Sequence, residues 1–512
     1  MTSSVVRRMR RLAVVAGVMA SSAPLLAGTT SYASPVVWNY PSACNGASTL
    51  QQCIDNAAAG DTVAIDTDTP INESASMEKS LTLEAAQGYH PTIQGAYADD
   101  GAGAAVDVTV RGIKMTGSAG AGFHNFSGDS FTLDHVTASG GFAGSQAVYD
   151  YVTVPASLAI IKSSFTYTGN GVGVLVQASQ AGGKVTARLV GNSFSSQGQP
   201  EVEAAIELYS DNTGGLDAVV ANNSVFKAGT CNCGNASAFD LEYMNSSTSH
   251  VDIVGNTVDR APVGVGVGDT MTGGRLTLRA FNNVFSRGRT GIYLSADIKS
   301  TLRFSAGHNE YYRIQTQVEG RSAGSGNLHV PPYFRDENHG DLRLKSTSPL
   351  IDRALVCSPA GIAQPDARGH ARRSGPGVDV GAFEYGATAP TGVVVVGTSG
   401  PDSRSGTPGA DIMCGYGGGD HLWGMGDWDY IDGGSGDDVV SGNNGYDLLY
   451  GGGGNDTVVG GTGNDLIYGG SGNDCLNSQD RHGRDRVFGG SGTDGARSDA
   501  YDDLVSVERS AC

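Results

Sequence analysis

Carboxylates at a fixed interval occupy the last hundred positions of this 512-residue chain. They fall every nine residues, at Asp411, Asp420, Asp429, Asp438, Asp447, Asp456, Asp465 and Asp474. After a two-residue insertion the interval resumes at Asp485, Asp494 and Asp503. Two residues beyond nearly every aspartate stands an apolar side chain: Met413, Leu422, Ile431, Val440, Leu449, Val458, Ile467, Leu476, Val487 and Val505. Anionic oxygens at this density suit calcium, which takes about 6–8 oxygen ligands from carboxylates and carbonyls. The glycines before each aspartate, as in GGGGNDTVV and GGTGNDLIY, reach backbone angles closed to other residues and let carbonyls curl round an ion. A flexible Gly/Asp linker would not keep an Asp–x–apolar beat over so many units. One apolar residue in nine is a thin core, so the stacked carboxylates should repel and loosen the array unless metal neutralises them.

This pattern resembles the RTX, or hemolysin-type, calcium-binding repeats over roughly 409–495. The resemblance implies a parallel β-roll in which each repeat is a calcium turn plus a short strand. It implies calcium as the cofactor. The implied ligands are Asp411, Asp420, Asp429, Asp438, Asp447, Asp456, Asp465, Asp474 and Asp494. The turns before Asp485 (DRHGRD) and Asp503 (SDAYDD) depart from the pattern, so calcium is not expected there, and Asp427 replaces a turn glycine before Asp429.

A second set of candidate residues lies upstream. Asparagines end successive short strands at Asn192, Asn223, Asn256, Asn283 and Asn309, in steps of 31, 33, 27 and 26 residues. That is about one coil of a β-helix, and the asparagines read as an internal ladder at one turn. Each coil carries a further strand. Stacking these strands puts Val174, Ile206, Phe239, Val265 and Ile292 in one inward column and Val176, Leu208, Leu241, Val267 and Leu294 in the next. The period of two then turns Glu207 and Asp240 outward side by side, with Tyr209 and Glu242 beside them and Asp211, Tyr243, Asp269 and Tyr293 nearby. Such a patch is either an ordinary solvated strand face or a carbohydrate groove, where rings stack on tyrosine and carboxylates bond hydroxyls or hold calcium. Lyase chemistry there would also need a base. Lys162, Arg188, Arg260 and Arg279 lie on other segments, and no motif ties them to the patch.

The elements that must position these residues are strands. Leu50, Ile54 and Ala57–Ala59 fit one short amphipathic helix, followed by strands at Thr62–Ile65 and Leu81–Leu83. This order resembles the N-terminal end of secreted right-handed parallel β-helix proteins, whose helix covers the open coil. A β-sandwich would show faster turn signals and longer strands. Residues 326–386 resemble the closing segment of exported β-helix proteins of the choice-of-anchor Q type. The resemblance is carried by Asp341, Leu342, Leu344, Ser348, Pro349, Ile351 and Asp352, then Asp366, Gly369, Arg373, Gly375, Asp379, Gly381, Ala382, Phe383 and Glu384. There Asp352, Asp366 and Asp379 with Arg368 and Arg373 read as ion pairs and Asx-turns. The expected architecture is all-β: a signal peptide (1–33), a right-handed parallel β-helix (34–325) of seven to nine coils, its closing segment (326–386), a linker (387–408) and an RTX parallel β-roll (409–512). One strand in the linker, Val393–Val396, should begin the roll.

Composition bounds the function. A net charge of −19 argues against a nucleic-acid partner. Arg7, Arg8, Arg10 and Arg11, an apolar run from Leu12 to Leu26 and Ser31-Tyr32-Ala33 read as a secretory signal, by the general or the twin-arginine route. No other stretch is long and apolar enough to span a membrane. Eight cysteines in an exported chain favour disulfides, with Cys44–Cys53 and Cys475–Cys512 as candidate bridges and Cys231 and Cys233 too close for an easy one. A zinc site would need better-spaced ligands. The reading is a secreted, extracellular, monomeric calcium-binding protein whose β-helix binds a surface or polysaccharide without catalysis. The alternative is a polysaccharide lyase or epimerase acting on uronate-containing glycans. A β-helix followed by RTX modules resembles the layout of secreted mannuronan C-5 epimerases. The sequence lacks their Tyr-Gly-Phe-Asp-Pro-His type run and the vicinal aspartates and arginine of pectate lyases.

Overall fold

The computed structural model describes residues 35–509 apart from 99–105, 118–122, 126–129, 141–147, 153–155, 168–170, 179–183, 197–201, 211–214, 228–236, 243–247, 269–273, 296–300, 362–365, 369, 371, 373–376, 387–391 and 481–482. The signal segment, Cys231, Cys233, Cys512, Asp211, Tyr243, Asp269 and Arg373 fall outside the described residues. Val36–Cys512 forms one compact unit.

Three parallel sheets of 11, 9 and 10 strands are wound by one rising chain, each coil adding one strand to each sheet. The alternation predicted this. In Leu216–Ala221 the residues Leu216, Ala218 and Val220 are buried inward, while Asp217 and Val219 face out. Stacked coils then build one continuous apolar core running from Tyr40 to Tyr311. The parallel pairing excludes the sandwich. The nine-stranded sheet limits the complete coils to nine among the described residues, with extra strands at the N-terminal end. There the helix spans Leu50–Asn56, capped by Thr49, and buries Leu50, Cys53 and Ile54; Ala57 already closes it, so Ala58 and Ala59 lie beyond. The Cys44–Cys53 disulfide pins it.

The corner after the first sheet is held by the asparagine ladder. The backbone N–H of each asparagine donates to the Oδ1 of the asparagine one coil on: Asn192 to Asn223, Asn223 to Asn256, Asn256 to Asn283 and Asn283 to Asn309, all at 2.9–3.0 Å. Each Nδ2 donates to a first-sheet carbonyl of the preceding coil, as Asn256 does to Val220 at 2.8 Å. Ser163 and Asn327 extend the ladder at its two ends. The residue before each asparagine has positive φ: Gly191, Asn222, Gly255, Asn282 and His308. Gly255 is needed there for a second reason, because a Cβ would come within 2.6 Å of Asn222 Oδ1.

Residues 326–386 do not merely end the helix. An antiparallel hairpin, Phe334–Asp336 with Asp341–Leu344, starts a segment that folds back along the side of the coils. Leu342, Leu344, Leu350 and Val380 pack on Phe226 and Val284, outward residues of the second sheet. Ala360 then packs on Val190, Ala221 and Val254 of the first.

The C-terminal array is a second parallel structure of 7 and 6 strands. Before the insertion each strand pairs with the one 18 residues on, so two nonapeptides make one turn; across it the offset is 20. Its core is the predicted column, Met413 through Val487, completed by Ala496 and by Val395 and Val507 at the ends. Val505 is instead 39% exposed, and Val507 takes the inward place because the last turn is shorter. Val394–Val396 pairs with Ile412–Cys414 and Ser403–Ser405 with His421–Trp423, so the roll's sheets reach back into the segment read as a linker. Cys357 bonds Cys414, a bridge that spacing did not suggest; Cys475 is also in a disulfide, with a partner outside the described residues.

Two expectations follow. Asn256→Ala strands the Asn223 amide and the Val220 carbonyl inside the corner and should cost about 3 kcal/mol, read as a lowered urea midpoint. Glu310, fully buried with one oxygen on the Val330 amide, is pushed up to about 8 by burial. Its folded-state value exceeds its unfolded value, so its contribution is complete below the ordinary carboxylate range and fades as pH rises through about 8. In calcium-saturated protein, Glu310→Gln should therefore gain stability over the native chain at pH 9 and lose that advantage near pH 5.

Candidate functional site

The periodic aspartates converge on two columns, one along each edge of the roll. One holds Asp411, Asp429, Asp447, Asp465 and Asp485; the other holds Asp420, Asp438, Asp456, Asp474 and Asp494, and all ten are at most 3% exposed. Up to the last turn, each backbone N–H donates to the Oδ1 of the aspartate one turn on, at 2.9 Å for Asp411 to Asp429 and likewise for Asp438 to Asp456, whereas Asp494 donates to Glu508 Oε2. Oδ1 is thus consumed by the fold. The Oδ2 atoms of Asp420, Asp438, Asp456, Asp465, Asp474, Asp485 and Asp494 are buried and receive no hydrogen bond from the described residues. A buried anionic oxygen without a donor is costly unless a cation meets it.

The backbone leaves room for that cation. A Cβ built on Gly451 would lie 2.6 Å from both Asp456 Oδ2 and the carbonyl oxygen of Gly469 one turn on. Gly433 stands the same way towards Asp438 and Gly451, and Gly469 towards Asp474 and Gly489 at 2.5 Å. A hard carboxylate oxygen and carbonyls facing one small gap form a donor set that fits calcium. Burial pushes the carboxyl of Asp438 up to about 6 and those of Asp456, Asp465 and Asp485 to about 7. Incoming backbone amides oppose that rise, and neighbouring carboxylates add to it.

The ends of the columns differ from the sequence reading. Asp411 Oδ2 accepts the Thr407 amide at 2.5 Å, so this first predicted ligand is already satisfied by the protein. Asp402, nine residues before Asp411, heads the other column: its N–H donates to Asp420 Oδ1, while Thr398 and Arg404 take its carboxylate. The nine-residue beat contained that position. Asp485, set aside because of the insertion before it, stands fully inside the column. At the last turn Asp502 receives the Asp485 amide, whereas Asp503 is exposed and faces Arg486.

The β-helix patch forms as predicted in register. Glu207 pairs with Asp240 and Tyr209 with Glu242 on the third sheet, and Gly266 and Tyr293 continue the first row. All four patch residues are half-buried, and Tyr209 packs against Val172, Leu175 and Ala204 rather than standing clear as a stacking platform. Arg188 and Arg279 lie on the first sheet, and Lys162 and Arg260 at corners, so the structure does not bring them to the patch. The closing-segment acids make turns and ion pairs. Asp366 binds Arg368, and the carboxylates of Asp352, Asp379 and Glu384, within 4.8 Å of one another, accept the amides of Gly377, Asp352, Tyr385 and Asp379.

A groove of about 660 Å³ lies instead on the outer face of the first sheet. It is lined by Ser157, Thr186, Arg188, Asp217, His250 and Arg279, among others, a constellation scattered over five coils that no sequence spacing signals.

For the array, Gly451→Ala adds only a methyl group at an ordinary φ, yet places it between Asp456 Oδ2 and the Gly469 carbonyl. It and Asp456→Ala should each raise the calcium concentration for half-maximal folding about tenfold. Asp503→Ala should leave it unchanged, in a calcium titration followed by circular dichroism.

The RTX calcium-binding nonapeptide repeat family (4 copies) matches residues 405–440, 434–466 and 450–479. No curated protein matches the chain. Among solved structures, the PL6 family alginate lyase AlyGC aligns over 90% of this chain and 77% of its own, at 10% identity and a TM-score of 0.25, a level at which no argument rests on it. The C-terminal array therefore consists of RTX calcium-binding repeats, carried on a parallel β-helix.

Proposed function

We propose that this chain is a secreted, monomeric protein whose C-terminal array folds on extracellular calcium and whose β-helix binds a polysaccharide without transforming it. The observation that supports calcium-dependent folding is the double column of buried Oδ2 atoms without donors. Metal-free, these columns hold like charges one strand spacing apart around a core one residue wide. Calcium concentrations differ sharply across a cell envelope, so weak sites stay empty before export and fill afterwards. The ligands in this reading are Asp420, Asp429, Asp438, Asp447, Asp456, Asp465, Asp474 and Asp494, with Asp485 added on its geometry and Asp411 as a protein-capped end.

A lyase or epimerase at the third-sheet patch finds less support. It would need a base and a cation over Glu207 and Asp240, and the candidate cations stand on other faces. Non-catalytic binding needs neither.

The test uses the full chain, because the Cys357–Cys414 bridge joins the roll to the closing segment. Hydrogen exchange of amides in 411–494 should be fast in chelator and strongly protected in calcium, while the Asn192–Asn309 corner stays protected in both. Equal protection of the roll in chelator would sink calcium-dependent folding. Incubation with polyuronates in calcium should yield no unsaturated product by ultraviolet absorbance; a product signal lost in Glu207→Ala or Asp240→Ala would establish the enzyme instead.

A further inference from the structure

We propose that the first-sheet groove, rather than the third-sheet patch, is the polysaccharide site, and that it takes a carboxylate-bearing chain. This deepens the binding half of the function above and is independent of how the roll folds.

The groove runs across successive strands of the first sheet, parallel to the direction in which coils stack. Strand register aligns two outward rows. The first is Ser157, Thr186, Asp217 and His250, every member a hydrogen-bonding side chain. The second is Ala159, Arg188, Val219, Asp252 and Arg279, in which Ala159 and Val219 are interspersed with charged residues. At about 4.8 Å per strand, four spacings give a channel of roughly 19 Å, long for a small metabolite and suited to an extended polymer. The small side chains keep the floor flat, while the polar row offers hydroxyl partners at regular intervals.

Charge selects the class of polymer. Asp217 is shared by Lys184 at 2.5 Å and His250 Nδ1 at 3.1 Å. Asp252 is taken bidentately by Arg279, through Nε at 2.6 Å and Nη2 at 2.5 Å. Arg188 is exposed and has no ionic or hydrogen-bonding partner among the described residues. Among the lining residues Arg188 and Arg279 balance Asp217 and Asp252; Lys184, which is not in the lining but reaches Asp217, adds one positive charge beside the groove on a chain whose net charge is −19. A free guanidinium in a hydroxyl-lined channel recognises a carboxylate among hydroxyls, the repeating chemistry of an acidic polysaccharide. The third-sheet patch, with Glu207, Asp240 and Glu242, would repel the same chain.

One border of the groove belongs to the closing segment. Arg279 Nη1 donates to the Pro359 carbonyl at 2.5 Å, and Ala360 packs on the same Val190, Ala221 and Val254 cluster as Val219. Arg279 is therefore fixed from both sides, and Arg188 is the residue free to engage the ligand.

The experiment is a calorimetric titration of the calcium-loaded full chain with a short oligogalacturonate, against a neutral gluco-oligosaccharide of equal length and a calcium-matched blank. Expected are binding of the acidic oligomer alone, weakening with added salt, and an affinity loss of about tenfold or more in Arg188→Ala. His250→Ala should also weaken binding, and Arg188→Lys should restore part of it. Glu207→Gln with Glu242→Gln should bind as the native chain does. All variants change surface positions, and melting curves verify folding. Native affinity in both Arg188→Ala and His250→Ala would overturn the groove while leaving polysaccharide binding standing. Equal binding of the neutral oligomer would overturn the acidic class. Binding of neither would overturn the groove and the binding half of the proposed function together, leaving calcium-dependent folding to its own test.

Discussion

One hydrogen bond recurs through both halves of the molecule: a backbone N–H donating to the Oδ1 of a residue one coil further on. In the β-helix that residue is asparagine, from Asn192 to Asn309; in the roll it is aspartate, from Asp411 to Asp494. Parallel coils leave the amide at a corner without a ladder partner, and a short side chain from the next coil supplies one. The two residues are nearly isosteric, so the second atom decides the rest. Asparagine Nδ2 is a donor and finds a carbonyl, as Asn223 does at Leu189, and the ladder is complete within the protein. Aspartate Oδ2 is an anion, and in the same geometry it is left facing the carbonyls of the next turn. A single change of atom thus separates a corner that holds itself from one that needs a cation.

That distinction explains the different core sizes. The β-helix closes on three sheets with large inward side chains, including Phe131, Phe165, Phe194, Phe239 and Phe285. The roll has two sheets and one inward residue per nonapeptide. Its outer face adds stacked rings, Tyr450 on Tyr468 at 4.9 Å and Tyr468 on Phe488 at 4.8 Å. These contribute contacts without a second buried layer. Cation binding at the columns supplies what apolar burial does not.

Legibility followed from whether a constraint is periodic. The Asp and Asn beats are set by coil length, so the roll core, both ladders and the register of Glu207 with Asp240 could be read from spacing. Positions where the period slips could not. The insertion around Asp480 looked like a break, yet Asp480 accepts the Gly463 and Gly483 amides and returns Asp485 to its column. At the terminus Asp502 and Val507 replace the expected Asp503 and Val505 because the chain turns early. Contacts between distant segments carry no period at all. The groove depends on residues from 157 to 279, and the Cys357–Cys414 bridge joins two elements whose sequences give no shared signal.

That bridge also sets how the two halves communicate. It closes a separation of 57 residues, and restricting a loop of that length in the unfolded chain is worth about 4 kcal/mol. Around it, Val356 and Val378 of the closing segment pack with Ile412 and Cys414 of the first roll turn. Tyr416 Oη donates to the Ser358 carbonyl at 2.8 Å, and the next residue, Pro359, receives Arg279 from the groove. A continuous chain of packed and hydrogen-bonded groups therefore runs from the head of the roll to the border of the groove. Its carboxylates at that end, Asp402 and Asp411, are satisfied by Thr398, Arg404 and Thr407 rather than left for metal. The turn that touches the β-helix is thus the one whose carboxylates have protein donors, while the buried Oδ2 atoms without one lie further along the roll. In the proposed calcium-dependent folding, this geometry would confine the transition to the repeats beyond the junction.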